Sequence, residues 1–289
     1  MAHSRWSLLR AESGRPLERP TTRPRAVVTG ASGGIGAAFA TALAREGYDL
    51  VLVARNAERL ATLAEQLRAR CSVDVELAVA DLTNAAELRC LEAQIAADAR
   101  LALLVNNAGV ASLGPFARLD PDLEEALVRL NAVAPARLTR AALPGMLERG
   151  RGAIINVSSI ASFVPTRFAA TYSATKAFLN SFTEALHEEL RGTGVRVQLL
   201  CPGFTRTEFA ARAGADTGSI PAFAWMEAEA VADASLTALR RGRLVCVPGT
   251  VNRILSMLLR VLPRRLMRRL TGAGAKQGWA STSVRNRAR

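Results

Sequence analysis

Two side chains that can exchange a proton lie four residues apart in the segment YSATK, residues 172–176. Side chains at this spacing share one face of a helix, so the Tyr172 phenol and the Lys176 ammonium can point into the same cleft. A free tyrosine has a pKa of about 10 and is a poor acid–base catalyst at neutral pH. Because a nearby cation favours the phenolate, we expect Lys176 to lower the pKa of Tyr172.

Composition makes this pair unusual within the chain. There are 36 arginines but only two lysines, Lys176 and Lys276, and only two tyrosines, Tyr48 and Tyr172. A guanidinium differs from an ammonium in size and donor geometry. Lysine at position 176 therefore indicates that an ammonium is required there. The alternative is an ordinary pair of side chains on a solvated helix.

A glycine-rich turn, TGASGGIG at residues 29–36, follows a predicted strand and opens a predicted helix. Glycines let the backbone turn sharply and approach a phosphate, and the free N–H groups of the helix start favour an anion. In this position the turn predicts a pyrophosphate site. The alternative is a tight turn without a ligand.

Residues at the end of the second predicted strand select between dinucleotides. Ala54 stands where an acidic residue would bind the ribose 2′-hydroxyl of NAD, and Arg55 follows it. A guanidinium suits a 2′-phosphate, and Ser32 can add a hydroxyl contact. The sequence thus predicts NADP(H), with NAD(H) as the alternative if Arg55 is only a surface arginine.

Short apolar runs alternate with helical patterns through most of the chain. Strands are predicted at residues 26–29, 50–54, 75–80, 101–106, 153–158, 195–201 and 244–247. Helices are predicted at residues 35–46, 57–70, 85–97, 121–148, 172–191 and 227–241, the fourth bent near Pro135 and Pro144. This pattern indicates an α/β fold, a doubly wound (Rossmann) and mostly parallel seven-stranded sheet in a single domain. Such sheets bind ligands beyond the carboxyl ends of their strands.

These motifs and their order resemble the short-chain dehydrogenase/reductase family. The resemblance rests on the TGxxxGxG turn, the NNAG segment at residues 106–109, the YxxxK pair and the CPGFTRT segment at residues 201–207. It covers about residues 26–250, the predicted catalytic domain. It implies an NADP(H)-dependent oxidoreductase that interconverts a carbonyl and an alcohol by hydride transfer.

The resemblance also implies roles for single residues. Tyr172 would be the acid–base group, and Lys176 would tune it and bind the ribose. Ser159 would bind the substrate oxygen, with Ser158 as the alternative, and Asn131 would hold a water that relays protons to the lysine. The implied coenzyme-binding residues are Gly30, Ser32, Gly33, Gly34, Ile35, Gly36, Arg55, Asp81, Leu82, Asn107, Ala108, Gly109, Tyr172, Lys176, Pro202, Gly203, Phe204 and Thr205.

Three segments after predicted strands, at residues 110–113, 162–168 and 204–226, are expected to contact the substrate. The last one carries several large apolar side chains, namely Phe204, Phe209, Phe223, Trp225 and Met226. It is typical of a mobile lid over a hydrophobic carbonyl compound. The alternative is that these side chains cover the core.

The net charge of +13 lies mainly outside the predicted domain. Residues 1–25 carry six arginines against two glutamates, and residues 240–289 carry 13 basic residues and no acid. We predict a disordered basic extension at residues 1–25 and a basic amphipathic segment and tail at residues 251–289. Over residues 251–270 the pattern fits a helix at an anionic membrane surface, an oligomer contact or a cap on the domain.

Other classes of protein are disfavoured. The sequence contains no run of about 20 uncharged apolar residues and no secretory signal at its start, so a cytoplasmic location is expected. Four dispersed cysteines, expected to be buried thiols, and two histidines predict no metal site. The basic tails lack a nucleic-acid recognition motif or stacking platform. The resemblance implies a dimer or tetramer, and the alternative function is a non-catalytic coenzyme-sensing or membrane-associated regulator.

Overall fold

The computed structural model describes residues 23–215, 217–218 and 220–261 of the chain. Its strands are β1 (Arg25–Thr29), β2 (Asp49–Ala54), β3 (Val75–Val79), β4 (Leu101–Asn106), β5 (Gly152–Val157), β6 (Val195–Leu200), β7 (Thr205–Arg206), β8 (Met226–Glu227) and β9 (Val245–Cys246). Seven of them form one sheet in the order β3-β2-β1-β4-β5-β6-β9, with every neighbouring pair parallel. This arrangement confirms the predicted doubly wound sheet.

Helices connect the strands and cover the sheet. They are α1 (Gly34–Arg45), α2 (Ala57–Cys71), α3 (Ala85–Ala97), α4 (Pro121–Val128), α5 (Ala134–Glu148), α6 (Ala170–Glu189), α7 (Phe209–Arg212), α8 (Ala228–Arg240) and α9 (Thr250–Val261). The predicted strand and helix boundaries agree with these to within about two residues, apart from the helix predicted at 121–148.

The predicted helix over residues 121–148 is interrupted. A π-helical turn, Arg129–Val133, separates α4 from α5. Pro135 follows this turn and has no N–H to donate to the carbonyl of Asn131, four residues earlier, so a regular helix cannot continue there. Pro144, by contrast, lies inside α5 without ending it. The wide turn places Asn131 beside the carboxyl ends of the strands.

Two apolar clusters, one on each face of the sheet, form the core. Alternate residues of one strand point to opposite faces, so Val28 belongs to one cluster and Val27 to the other. The buried strands read as continuous apolar runs because both faces are covered by helices. The cysteines only partly follow expectation: Cys201 and Cys246 are buried, but Cys71 is half-buried and Cys90 is exposed.

The predicted disordered extension and the predicted basic tail fall mostly at the two ends of the chain, outside the described residues. Residues 1–22 and 262–289, which hold most of both basic tails, lie outside the described residues. Arg25 is already part of β1, so the folded domain begins slightly before residue 26. Within the described ranges, no helix is both long and apolar enough to cross a membrane, and no cluster of three His, Cys, Asp or Glu side chains could bind a metal.

The glycine turn is packed so closely that one added methyl group should disrupt it. A Cβ at Gly36 would overlap the carbonyl oxygen of Gly30 and lie 2.6 Å from Asn107 Nδ2. We expect Gly36→Ala to lower the free energy of unfolding by about 2 kcal/mol or more, measured by urea denaturation. Gly33→Ala is the matched control, because only the Arg59 guanidinium lies within 4.0 Å of its Cβ. Equal stability of the two variants would contradict this packing.

Candidate active site

The carboxyl ends of β1, β4 and β5 form the floor of the candidate site. After β1 the chain turns through Gly30 and Gly34, whose φ angles of +67° and +55° are rarely adopted by other residues. α1 begins at Gly34, and in the described part of the chain no side chain caps its first N–H groups. Those N–H groups, with the positive end of the helix dipole, form a cradle suited to a pyrophosphate.

Thr29 and Asn107 brace the glycine turn. The Thr29 hydroxyl accepts hydrogen bonds from the backbone N–H groups of Asn107 (2.9 Å) and Ala108 (3.0 Å). In return, Asn107 Nδ2 donates to the carbonyl oxygens of Thr29 (2.9 Å) and Gly30 (3.3 Å). The carboxamide of Asn107, predicted to border the coenzyme, thus holds the turn in shape. Thr29 was not among the predicted site residues, although a polar residue that closes an apolar strand before a glycine was a usable signal.

Arg55 and Asp81, at the ends of neighbouring strands, lie at one edge of the cradle. The Arg55 guanidinium is 3.7 Å from the Asp81 carboxylate, and the Arg55 side chain is 70 % exposed. Burial alone would raise the pKa of Asp81, but hydrogen bonds from Thr83 and the charge of Arg55 outweigh it and lower that pKa. Arg55 therefore offers an accessible cation beside an ionised carboxylate.

Other predicted coenzyme residues lie nearby with different surroundings. The Leu82 side chain is buried in the core and leaves only its backbone for a ligand. Ile35 packs against the other apolar cluster. The carbonyl oxygen of Pro202 accepts the N–H of Ile160 (3.0 Å), and the Thr205 hydroxyl donates to the carbonyl of Gly203 (3.1 Å). The segment after β6 is thereby tied to the residue that follows Ser159.

Ser159 and Tyr172 come together, as the family resemblance implies. Their hydroxyl groups share a hydrogen bond, and Ser159 Oγ also accepts the backbone N–H of Ala161 (3.1 Å). Ser158 instead faces α6, where its hydroxyl contacts the carbonyl oxygen of Lys176 (3.0 Å) and Asn180 Oδ1 (2.8 Å). The geometry therefore selects Ser159 over Ser158 as the partner of Tyr172.

The expected lowering of the Tyr172 pKa is not observed. Burial raises the pKa of Tyr172 to about 12, and the hydrogen bond to Ser159 only opposes this increase. Lys176 Nζ lies 5.8 Å from the centre of the tyrosine ring and donates a hydrogen bond to the carbonyl oxygen of Val157 (2.8 Å). At neutral pH the phenol is therefore fully protonated and ready to donate.

Lys176 is almost completely buried, with 4 % of its surface exposed. Burial lowers the pKa of Lys176 to about 8, and the neighbouring Cys201 thiol opposes this shift. Since the ammonium is the charged form, removing it from water without a paired carboxylate disfavours the charge. Lys176 is therefore mostly charged at pH 7 and loses its proton as the pH rises through about 8.

Asn131 and Lys176 meet beside Gly109. A Cβ at Gly109 would lie 3.1 Å from Asn131 Oδ1 and 3.4 Å from Lys176 Nζ, so a larger residue would crowd both groups. The Asn131 carboxamide donates to the carbonyl of Val110 (2.8 Å) and accepts from its N–H (3.0 Å). Its amide also donates to Thr175 Oγ1 (3.3 Å). Asn131 therefore joins the π turn, the end of β4 and α6.

A buried chain of amides links the strand ends to α6. Asn106 Nδ2 donates to Asn156 Oδ1 (2.9 Å), and Asn156 Nδ2 donates to Thr183 Oγ1 on α6 (2.9 Å). Asn106 Nδ2 also lies 3.1 Å from Thr139 Oγ1 on α5. Asn106 lies in the NNAG segment and Asn156 in a predicted strand, and neither was assigned a role from the sequence. The sequence pattern that could have identified them is an asparagine near the carboxyl end of each of two otherwise apolar strands.

Gly114, the residue directly after the first predicted substrate segment, is joined to the second segment by one hydrogen bond. The N–H of Gly114 donates to the carbonyl oxygen of Phe168 (2.7 Å). Phe168 has a φ of +65°, a left-handed conformation that is strained for a phenylalanine. The Arg167 guanidinium lies 4.6 Å from the centre of the Phe168 ring. This side of the cleft is therefore held in a defined conformation.

The third predicted substrate segment crosses the cleft at residues 205–209, the crossing segment. Its Thr207 lies against the glycine turn, where a Cβ at Gly34 would be 2.9 Å from Thr207 Cγ2. Glu208 makes two hydrogen bonds, of 2.7 and 3.1 Å, with Arg59 of α2. The Phe209 ring lies 5.9 Å from the ring of Tyr172. Arg59 was not predicted as a site residue, and Thr207 and Glu208 were predicted only as members of the substrate segment at residues 204–226.

Of the lid's other large side chains, Met226 packs against one of the apolar clusters, as the alternative prediction has it, whereas the rest pair with one another or remain exposed. The rings of Phe204 and Trp225 lie 5.7 Å apart, and their segments are joined by the short pair of strands β7 and β8. Phe204 is 44 % exposed and Phe223 74 % exposed. The predicted alternative, that these side chains cover the core, does not hold for these two.

Burial of the Lys176 charge should cost stability in a way that depends on pH. Because its pKa falls from about 10.5 in the unfolded chain to about 8, the unfolded state binds more protons between these values, so stability rises with pH across that window. We expect Lys176→Met to raise the free energy of unfolding at pH 7 by up to roughly 3 kcal/mol. That gain should shrink toward pH 10, as measured by urea unfolding at both pH values. Arg70→Met, which removes an exposed cation, should change little at either pH.

The comparisons with known proteins agree with this geometry. The family model described as short chain dehydrogenase matches residues 24–218. A very-long-chain 3-oxoacyl-CoA reductase from Bos taurus is 36 % identical over 189 residues, which cover 64 % of this chain and 60 % of that protein. The chain spans 60–64 % of the length of such curated reductases.

Solved structures resemble nearly all of the described fold. A short-chain dehydrogenase from Sphingobium yanoikuyae in complex with NADPH is 39 % identical with a TM-score of 0.76, covering 83 % of this chain and 96 % of that one. A bulky-bulky ketone specific alcohol dehydrogenase from Comamonas testosteroni is 33 % identical with a TM-score of 0.73, covering 89 % and 97 %. The family match, the sheet order and the motifs agree, and this chain belongs to the short-chain dehydrogenase/reductase family.

Proposed function

We propose that the protein is an NADPH-dependent reductase that converts hydrophobic ketones to secondary alcohols. The observation that carries the proposal is the hydrogen-bonded pair Ser159–Tyr172, with buried Lys176 behind it and the glycine cradle beside it. A substrate oxygen between the two hydroxyls would face a proton donor and a second hydrogen-bond donor. The Bos taurus and Comamonas testosteroni relatives, by their names, act on ketone-type carbonyls, which supports this reaction class.

The described residues fit a dinucleotide. The uncapped N–H groups at the start of α1 would hold the pyrophosphate, and Asp81 with the backbone of Leu82 would contact the adenine. The exposed Arg55 would bind a 2′-phosphate, since Ala54 ends β2 without a carboxylate. The complex of the Sphingobium yanoikuyae relative with NADPH supports this assignment. A relative from Burkholderia phymatum in complex with NAD keeps NAD(H) as the second coenzyme.

The protein's own residues supply the proton and the geometry. When bound, the reduced nicotinamide supplies the hydride that adds to the carbonyl carbon. Tyr172 donates its phenolic proton to the carbonyl oxygen, so that the C=O bond becomes CH–OH. Ser159 orients that oxygen by donating its hydroxyl proton to it. The Ser159 oxygen already accepts the N–H of Ala161, which fixes the direction of the hydroxyl group. Lys176 holds positive charge near the phenolate that forms, and Asn131 positions the strand end that carries Gly109.

The raised pKa of Tyr172 favours the reductive direction. With a pKa of about 12, the phenol is protonated at neutral pH and suited to act as an acid. Oxidation of an alcohol would need the phenolate as a base, which is scarce under the same conditions. The apolar side chains of the crossing segment and the lid, including Phe209 above the Tyr172 ring, support a hydrophobic substrate.

We further propose that the protein is a cytoplasmic homo-oligomer. Phe178 and Phe182 stack on one face of α6 with ring centres 5.8 Å apart, and Phe178 is 44 % exposed. An exposed phenylalanine stacked on a half-buried one that packs against the core supports self-association through this face.

Tyr172→Phe should abolish turnover while leaving the coenzyme site intact. We expect kcat for NADPH-dependent ketone reduction to fall about 10²–10⁴-fold, because the proton donor is lost. The assay follows NADPH oxidation with aryl ketones and 3-oxoacyl thioesters, and calorimetry measures coenzyme binding. Tyr48→Phe, at the other tyrosine, is the matched control and should remain active. Tight NADPH binding by the wild type without turnover across the panel would favour the non-catalytic regulator instead.

Arg55→Ala should weaken NADPH and spare NADH. Loss of charge-assisted hydrogen bonds to a 2′-phosphate corresponds to about 10- to 100-fold in the dissociation constant. Calorimetric titrations with both coenzymes measure the ratio, and Arg70→Ala, an exposed arginine at the far end of α2, is the control. Equal losses for NADPH and NADH would show that Arg55 has no part in selecting the coenzyme.

A further inference from the structure

Helix α9 is amphipathic, but its polar face is turned toward the domain and its apolar face outward, the reverse of an ordinary surface helix. Its buried side chains include Asn252 and Ser256, which are 4 % and 3 % exposed. Its large apolar side chains point outward and are 40–58 % exposed, namely Val251, Ile254, Leu255, Met257 and Leu258. On a helical projection these five cover an arc of about 160°. A helix of a globular domain normally turns such a face inward, so this face is shaped for a partner.

The polar face of α9 is fixed to the domain by specific contacts. Asn252 Nδ2 donates to the carbonyl oxygen of Pro248 (3.0 Å), and the Asn252 carboxamide lies so close to Gly203 that a Cβ there would overlap it. The helix also packs on the 3-10 turn Ile160–Phe163, which directly follows Ser159. The outward direction of the apolar face is therefore set by the fold, and the helix borders the candidate active site.

The charged residues of α9 and of the sequence that follows it have one sign. Arg253 is exposed on α9, and residues 240–289 contain 13 basic residues and no acidic ones. The sequence after the helix continues with Arg264, Arg265, Arg268 and Arg269 among leucines and a methionine. Apolar side chains flanked by arginines match a lipid headgroup region, where acyl chains take the apolar face and anionic phosphates attract the guanidinium groups.

We propose that α9 is a membrane-docking helix that lies flat on an anionic lipid surface, with Val251, Ile254, Leu255, Met257 and Leu258 inserted at the level of the headgroups. A second copy of the chain is a poorer occupant, because a two-fold contact through α9 would bring like charges together. An acidic protein or a polynucleotide would satisfy the arginines but leave the apolar arc exposed. Docking in this orientation would hold the mouth of the active site close to the lipid surface.

Cosedimentation of the full-length protein with lipid vesicles tests the proposal. We expect binding to phosphatidylcholine vesicles that contain phosphatidylglycerol, little binding to phosphatidylcholine alone, and partial release by high salt. The variant Ile254→Asn/Leu258→Asn should reduce the partition coefficient at least tenfold. The matched control Leu123→Asn/Leu147→Asn, which changes exposed leucines on α4 and α5, should bind like the wild type. NADPH affinity and thermal melting should be unchanged in both variants, since all four side chains are exposed.

Hydrogen–deuterium exchange on the unmodified protein gives a second readout that needs no variant. Vesicles should slow exchange in residues 250–261 more than elsewhere in the described domain. The proposal is overturned if the α9 variant binds vesicles as well as the wild type, since the arginines alone would then account for binding. It is equally overturned if vesicles leave exchange in residues 250–261 unchanged, or if the variant changes the oligomeric mass instead of lipid binding.

Discussion

Hydrogen bonds among buried amides at the carboxyl ends of the central strands fix the position of α6. Asn106 on β4, Asn156 on β5 and Thr183 on α6 form a continuous chain from sheet to helix. Each group is buried, so breaking one bond would leave a partner unsatisfied in an apolar surrounding. A shift of α6 along the sheet is therefore strongly disfavoured. Tyr172 and Lys176 lie on this helix, and their distance from Ser159 and from the glycine turn follows from the same constraint.

The site is built at the expense of stability. Three features of the site are unfavourable or tolerate no larger side chain. They are the buried Lys176 ammonium, which has no carboxylate partner among the described residues, Phe168 at a φ of +65°, and the closely packed glycine turn. They persist because the two apolar clusters on either face of the sheet supply a large excess of favourable burial. The helices and strands act as a scaffold that holds strained groups near one another.

Local patterns were sufficient to predict the sheet, the glycine turn and the spacing of Ser159, Tyr172 and Lys176. Each of these depends on residues that are close in sequence or on strands whose apolar runs are unbroken. Three features were not predictable. The pair Arg59–Glu208 joins residues 149 positions apart, the π turn reflects how Pro135 is accommodated in three dimensions, and the pKa of Tyr172 is governed by burial that the sequence does not display. The expected effect of Lys176 was wrong because charge proximity was considered without desolvation.

The crossing segment touches three parts of the molecule at once. Thr207 lies on the glycine turn, Glu208 pairs with Arg59 beside it, and Phe209 lies over the tyrosine ring. Any displacement of this segment that admits a molecule at the turn also moves the Phe209 ring beside Tyr172. Binding at the glycine turn is consequently linked to binding beside Tyr172. Such linkage is reciprocal, so each ligand changes the affinity of the other by the same factor.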